Sequence, residues 1–255
     1  MVLTDTHTHL YLDAFEKDRD EVVENAIAKG IRYMLLPNID SSSVDGLLDL
    51  CRQFPENCFP MMGLHPTSVK DNYPEELEIV RSWHERSRFY AVGEIGIDLY
   101  WDTTRLKEQE DAFRQQIKIA RSHNLPVVIH TRNSFDEIFR IIDEEYEPGL
   151  KGVFHCFTGN LEQARKIRSW GFKLGIGGVV TFKNSGLDKV IQELELEDII
   201  LETDAPFLAP VPYRGKRNES AYIIFIAERV ATLKNSNIEE VAAVTTSNAR
   251  ELFHF

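Results

Sequence analysis

Six side chains of metal-ligand type sit where short apolar runs end. His7 and His9 follow Val2-Leu3-Thr4-Asp5-Thr6, and Glu94 follows Tyr90-Ala91-Val92-Gly93. His130 closes Pro126-Val127-Val128-Ile129, His155 closes Gly152-Val153-Phe154, and Asp204 ends Ile199-Ile200-Leu201-Glu202-Thr203. In extended backbone, alternate residues face one side about 7 Å apart, so His7 and His9 can close on one divalent ion. A carboxylate at the end of an apolar strand is costly to desolvate without a partner charge. Lys and Arg are scarce in the neighbouring runs, which makes a metal ion the natural partner of Glu94. Taken singly, each residue is more often a cap or a satisfied core group. Six of them at five strand ends are not explained by packing.

Six protein groups exceed what one four- or five-coordinate catalytic ion needs while keeping a position open. The set therefore points to two divalent ions, Mg, Mn or Zn, with Glu94 on a middle strand bridging them. Two such ions bring about +4 against the −2 of Glu94 and Asp204, so the site should draw an anion, phosphate first. His65, in Gly63-Leu64-His65-Pro66, is expected to touch that phosphate. Past Asp204, a proline-stiffened loop gathers Arg214, Lys216 and Arg217 in an otherwise acidic chain, and these are expected to clamp substrate phosphates. Asp204 can touch both an ion and the attacking water, so it is assigned general-base as well as ligand duty, and Glu94 is counted as catalytic too. His84, His123 and His254 lie in helical or terminal context and receive no ligand role. Cys156, next to His155, reads as a packing residue.

Eight strand-like runs must position these groups: Val2–Thr6, Ile31–Leu36, Cys58–Gly63, Phe89–Gly93, Leu125–Ile129, Gly152–Phe154, Phe172–Gly175 and Ile199–Glu202. Between them run amphipathic stretches. Leu12, Phe15, Val22, Val23, Ala26 and Ile27 keep helical spacing, with Arg19 in a gap of the stripe, and Leu106, Phe113, Ile117 and Ala120 do likewise. Further helices are expected at Ser134–Glu145, Leu161–Trp170, Leu187–Leu194, Ala221–Leu233 and Ile238–Thr246. Such alternation with short connections gives a parallel α/β architecture. A (β/α)8 TIM-type barrel, one domain over residues 1–255, fits better than a doubly wound open sheet. In an open sheet the first and last strands lie far apart and could not share an ion. In a barrel their C-terminal ends converge, and active sites of that fold lie there.

The bulk composition agrees. With 43% hydrophobic residues the chain can fill a sizeable core, and a net charge of −12 argues against a broadly basic nucleic-acid surface. It leaves room for a nucleic acid held locally by metal ions. Three cysteines without a CxxC pair suit a reducing cytoplasm. No apolar run approaches the ~20 residues needed to span a bilayer, so no membrane partner is expected.

At these residues the chain resembles the TatD family of metal-dependent deoxyribonucleases, among the amidohydrolase-like barrels. The stretches that carry the likeness are Thr4-Asp5-Thr6-His7-Thr8-His9-Leu10, Gly93-Glu94-Ile95-Gly96-Ile97-Asp98, Leu125 to Arg132, His155 to Gly159, Leu201 to Pro206, Arg214 to Glu219 and Thr245 to Arg250. The resemblance implies a TIM-type barrel, divalent metals and DNase activity that removes nucleotides from 3′ ends, with His7, His9, Glu94, His130, His155 and Asp204 as ligands. Its one departure is Asn133, where relatives usually carry an acid nearby. The alternative on the same barrel is an amidohydrolase or lactonase cleaving C–N or C–O bonds. Many of those bridge their metals with a modified lysine, whereas the fourth strand here offers Glu94.

Overall fold

The structure is a computed structural model covering residues 1–255. Eight strands run in order: β1 (Leu3–Asp5), β2 (Ile31–Pro37), β3 (Cys58–Met61), β4 (Val92–Asp98), β5 (Val127–Arg132), β6 (Gly152–Phe154), β7 (Lys173–Ile176) and β8 (Ile199–Leu201). The helices α1 (Arg19–Ala28), α2 (Val44–Gln53), α3 (Tyr73–Arg86), α4 (Leu106–His123), α5 (Phe135–Glu145), α6 (Leu161–Ser169) and α7 (Leu187–Glu193) alternate with them. After β8 come α8 (Ile223–Lys234) and α9 (Ile238–Phe253).

Every strand pairing is parallel and joins consecutive strands, in ladders β1–β3 and β4–β8. Backbone hydrogen bonds stitch both seams. Met62 N donates to Ala91 O at 3.2 Å and Gly93 N to Met62 O at 3.0 Å. On the other side Thr6 N donates to Leu201 O at 3.0 Å, Asp204 N to His7 O at 2.8 Å and His9 N to Ala205 O at 2.8 Å. First and last strands are thus neighbours, as a (β/α)8 barrel requires and an open sheet forbids.

The strands expected from sequence are all present, with one informative displacement. β4 does not stop at Gly93 but continues through Glu94 to Asp98, with a register shift against β5 between Val92 and Ile95. The apolar run breaks at Gly93-Glu94, yet Ile95 and Ile97 resume the pairing. Arg19 is also more than a gap in a stripe. Its guanidinium donates to the carbonyls of Leu10 (3.0 Å), Tyr11 (2.7 Å) and Leu12 (3.2 Å), so the expected helix over residues 12–27 is divided and α1 begins only at Arg19. α2 and α3 were not singled out by apolar spacing. The buried stripe of α3 is Leu77, Val80 and His84, and an imidazole closes it in place of an apolar group.

Alternation along the strands builds two cores. Val127, Ile129, Ile199 and Leu201 face the helices in a cluster of 59 buried residues. Leu35, Phe59, Met61, Ala91, Val128, Val153 and Ile200 fill the lumen, where Ala249, Leu252 and Phe253 of α9 join them. Phe255 stacks beside Tyr33 and Phe59, near the starts of β2 and β3, so α9 plugs the N-terminal mouth. Each large side chain buried there contributes about 1.5–3 kcal/mol. The lumen above this plug belongs to polar groups. No helix is long and apolar enough to cross a membrane, and all three cysteines are free thiols.

Candidate metal centre

The six sequence-selected ligand residues meet at the C-terminal mouth, and Glu94 is their hub. Its two oxygens face different partners. Oε2 lies 3.0 Å from His7 Nε2 and 3.6 Å from His9 Nε2. Oε1 lies 2.7 Å from His130 Nδ1, 2.7 Å from His155 Nε2 and 3.2 Å from His65 Nε2. Asp204 Oδ1 stands 3.8 Å from His7 Nε2 and 3.7 Å from His9 Nε2, and the carboxylate also groups with His155. Three sets bring their ligand atoms within 4.8 Å of one another: His7, His9 and Glu94; His7, His155 and Asp204; His65, Glu94 and His130.

Hydrogen bonds behind the ring nitrogens decide which lone pairs are free. The Tyr11 hydroxyl spends its one proton on Pro37 O at 2.6 Å, so it can only accept from His9 Nδ1, 2.9 Å away. Neutral His9 therefore presents a bare Nε2 lone pair, 3.3 Å from His7 Nε2 and facing the acceptors Glu94 Oε2 and Asp204 Oδ1. Acceptors turned on one another in a buried site fit a cation between them. Asp98 Oδ2 sits 2.9 Å from His130 Nε2, which leaves Nδ1 for the interior. Glu202 Oε1 stands 3.6 Å behind His155 Nδ1 and accepts from Cys156 N. Carboxylates behind imidazoles in this way orient metal-binding histidines and raise their basicity. Glu202 has room because Gly175 is beside it; a Cβ there would run into its carboxylate.

His65 is wired the opposite way. Thr67 N donates to its Nδ1 at 3.1 Å, so neutral His65 carries its proton on Nε2 and points an N–H donor at Glu94. It falls within the cluster, yet as a donor.

Burial and charge set the protonation states. Burial opposes ionisation of Glu94, but His155, His65, His7 and the His130 hydrogen bond hold its carboxyl well below the usual range. Burial, reinforced by Glu94 and Glu202 and opposed by His155 and His9, raises Asp204 to about 6. His7 is pushed well below an ordinary histidine by burial and by the neighbouring His155, whose ring stacks on it at 3.9 Å. His155 goes the other way: burial disfavours its charge, but Glu94 and Glu202 lift it well above the ordinary value.

Asp98, Glu202 and Tyr11 were missed as site residues from sequence. The first two carry a readable signal, because Asp98 repeats the alternation from Glu94 and Glu202 that from Asp204. They also correct the charge count. Four carboxylates, not two, surround the imidazoles, so two divalent ions would be nearly neutralised rather than left positive. The basic loop needs correction as well. Arg217 is paired with Asp18 through both terminal nitrogens (2.8 and 2.6 Å) and donates to Ala14 O at 2.8 Å, clamping the loop to the segment before α1. Arg214 lies 4.4 Å over the Phe182 ring and Lys216 5.8 Å from the Tyr213 ring, neither in an ion pair. His84, given no ligand role, lies on α3 and bonds Met62 O at 3.2 Å. Cys156 is partly buried outside the three ligand sets.

Comparison with known proteins finds relatives along the whole chain. A family model described as TatD related DNase matches residues 4–254. An uncharacterized metal-dependent hydrolase of Bacillus subtilis, YabD, is 36% identical over 99% of both chains. The 3′-5′ ssDNA/RNA exonuclease TatD of Salmonella typhimurium is 31% identical over 98% of both. Among solved structures, the TatD homolog YjjV of Escherichia coli superposes with a TM-score of 0.93 at 28% identity, covering 99% of this chain and 98% of that one. A phosphotriesterase homology protein from Escherichia coli shares the fold alone, at a TM-score of 0.74 and 14% identity. Matched from end to end in sequence and in structure, the chain belongs to the TatD family of metal-dependent hydrolases.

Proposed function

We propose that this protein is a nuclease that hydrolyses phosphodiester bonds of single-stranded DNA from the 3′ end, in a centre built for two divalent ions. One observation carries the reading: the two oxygens of Glu94 face separate groups of imidazoles, as a bridging carboxylate's would. His7, His9 and Asp204 would hold one ion and His130 and His155 the other, with Glu94 between them. Bound ions of this kind polarise a phosphoryl oxygen and lower the pKa of water. The donor set of imidazoles and carboxylates suits Zn or Mn and admits Mg.

The chain's own groups do the rest. Asp98 fixes the outer nitrogen of His130 by a hydrogen bond of 2.9 Å, while Glu202, 3.6 Å behind His155 Nδ1, contributes its charge rather than a hydrogen bond. The Asp204 side chain, 14% exposed against 2% or less for Glu94, Asp98 and Glu202, is the site carboxylate that reaches solvent. In that position it takes the proton of the attacking water. The N–H of His65 Nε2 donates to a non-bridging phosphate oxygen. Arg214 and Lys216, unpaired on the rim, meet phosphates further along the strand. The name of the Salmonella relative supports the choice of single strands and of the 3′ end. An amidohydrolase or lactonase reaction is the competing chemistry on this barrel. The exonuclease name of the Salmonella relative, matched over 98% of both chains, favours the phosphodiester.

The test is a cleavage ladder from single-stranded DNA labelled at either end, run beside RNA and a lactone panel. Shortening from the 3′ end with mononucleotide release is the expected result. Turnover of lactones or amides without cleavage of either nucleic acid overturns the reading.

A further inference from the structure

Nine large apolar side chains are exposed on this molecule, and five of them lie on two loops of the C-terminal face: Tyr100, Trp101, Phe207, Leu208 and Val211. The first pair follows β4 and the others follow β8. Strands four and eight of an eight-stranded barrel stand on opposite sides, so the two loops flank the mouth of the metal centre. Trp101 is 68% exposed, the most of the nine. Its ring stands edge-on to Tyr100 at 5.0 Å, and the Arg132 guanidinium lies 3.9 Å from the Tyr100 ring centre and 5.5 Å from that of Trp101.

This aromatic turn is fixed to the site by a single carboxylate. Asp98 Oδ1 accepts from both Tyr100 N and Trp101 N at 2.9 Å, while Asp98 Oδ2 holds His130 Nε2 at 2.9 Å. Arg132 stands two residues beyond His130 on β5, paired in register with Asp98. Across the mouth, Phe207 N donates to Asp204 O at 2.8 Å and its ring meets His9 edge-on at 6.3 Å. Exposed aromatic residues are thus tied to site residues on both sides, through the backbone of Tyr100 and Trp101 at Asp98 and through the ring of Phe207 at His9. Packing does not account for Trp101, since its exposed ring covers no core.

We propose that Trp101, backed by Tyr100 and Arg132, is a stacking platform for an unpaired nucleobase of the strand whose phosphate lies in the metal centre. This rests on the nuclease reading and adds to it the group that grips the substrate. A net charge of −12 argues against a broad basic surface along which to track a phosphate backbone. Base stacking on an aromatic ring supplies affinity without such a surface and tolerates any base. The guanidinium of Arg132 adds a cation facing the same base. Bases inside a duplex are stacked on both faces and cannot turn onto a side chain, so the platform selects unpaired ends.

The experiment compares wild type, Trp101→Ala and Trp101→Phe on an oligothymidylate and on the same strand with abasic residues next to the cleaved end. Steady-state kinetics are read with metal, and tryptophan fluorescence is titrated with the intact strand in chelator. Trp101→Ala should raise KM roughly 5- to 150-fold, the range for loss of one stacked base, with a smaller change in kcat. Trp101→Phe should restore KM while losing the fluorescence quench that wild type shows. The penalty of the alanine variant should vanish on the abasic strand, because the partner it would miss is already gone. A wild-type KM in Trp101→Ala, or an equal penalty on the abasic strand, removes the platform and leaves the nuclease standing. A wild type that neither cuts nor binds any strand removes both.

Discussion

The two ends of this barrel are built from the same strands and could hardly differ more. At the N-terminal mouth, Leu35, Phe59, Val128 and Ile200 close over Ala249, Leu252 and Phe253 of α9. At the other end the inward positions hold His7, Glu94, His130 and His155, all facing one another without a Lys or Arg among them. The lower layer lowers the free energy of the fold, since each apolar side chain leaves water. The upper layer buries carboxylates and imidazoles at a desolvation cost that the apolar layer does not carry. A sequence keeps such a layer for what it binds, and one strand such as β5 shows the division within three residues: Val128 faces the apolar lumen and His130 the centre.

Single substitutions at each end should separate chemistry from stability. Glu94→Gln keeps the shape but removes the charge that would join two ions. It should cut turnover roughly 10³-fold or more, equal to about 4 kcal/mol of transition-state stabilisation, and lower bound metal per chain. Metal analysis with kcat on one sample checks this; full activity at reduced metal content would deny Glu94 its place. Phe253→Ala should do the reverse, costing about 3–5 kcal/mol in denaturant unfolding through the cavity it leaves, with kcat near wild type while the chain is folded. Asp204→Asn comes next, with an expected fall in kcat of about 10²-fold at unchanged metal content and a small change in melting temperature.

Buried histidines sharpen the same contrast. Those of the centre have carboxylates beside them, whereas His84 has the Met62 carbonyl and the rings of Phe89 at 5.2 Å and His123 at 5.3 Å. Burial, with His123 adding to it, lowers His84 from 6.5 to about 4. The unfolded chain therefore takes up this proton first as pH falls. Stability from His84 is intact above pH 6.5, is lost through the window down to about 4, and changes no further below it, a total of about 3 kcal/mol. His84→Gln, which keeps a donor for Met62 O, should flatten that part of the stability profile; an unchanged slope between pH 6.5 and 4 would show the proton is taken up elsewhere. The smallest effects belong to the basic loop. Lys216→Ala should raise KM for DNA a few-fold and make its salt dependence shallower. Arg217→Ala should instead loosen the loop by about 1 kcal/mol or less, as expected for a surface pair.

Much of this was legible in the sequence because ligand atoms at the ends of strands leave a pattern of type and position together. The eight strands and the convergence of His7, His9, Glu94, His130, His155 and Asp204 followed from apolar runs that end in chemistry. Asp98 and Glu202 escaped because a carboxylate behind an imidazole needs no special spacing from it, only a strand neighbour, and register is not written in one strand. Tyr11 escaped because its role is to settle a tautomer. Arg217 was misjudged because a charge counted along the chain says nothing of Asp18, far away in sequence and adjacent in space. The division of the first helical stretch was hidden for a similar reason: Arg19 binds carbonyls that periodicity cannot see.

Electron paramagnetic resonance of the chelated protein titrated with Mn(II) tests whether Glu94 joins a pair of ions. Two ions should bind per chain, with a spin-coupled spectrum that disappears in Glu94→Gln while single-ion binding persists. A wild type that binds only one ion, or two with uncoupled spectra, would contradict a shared carboxylate at the heart of this site.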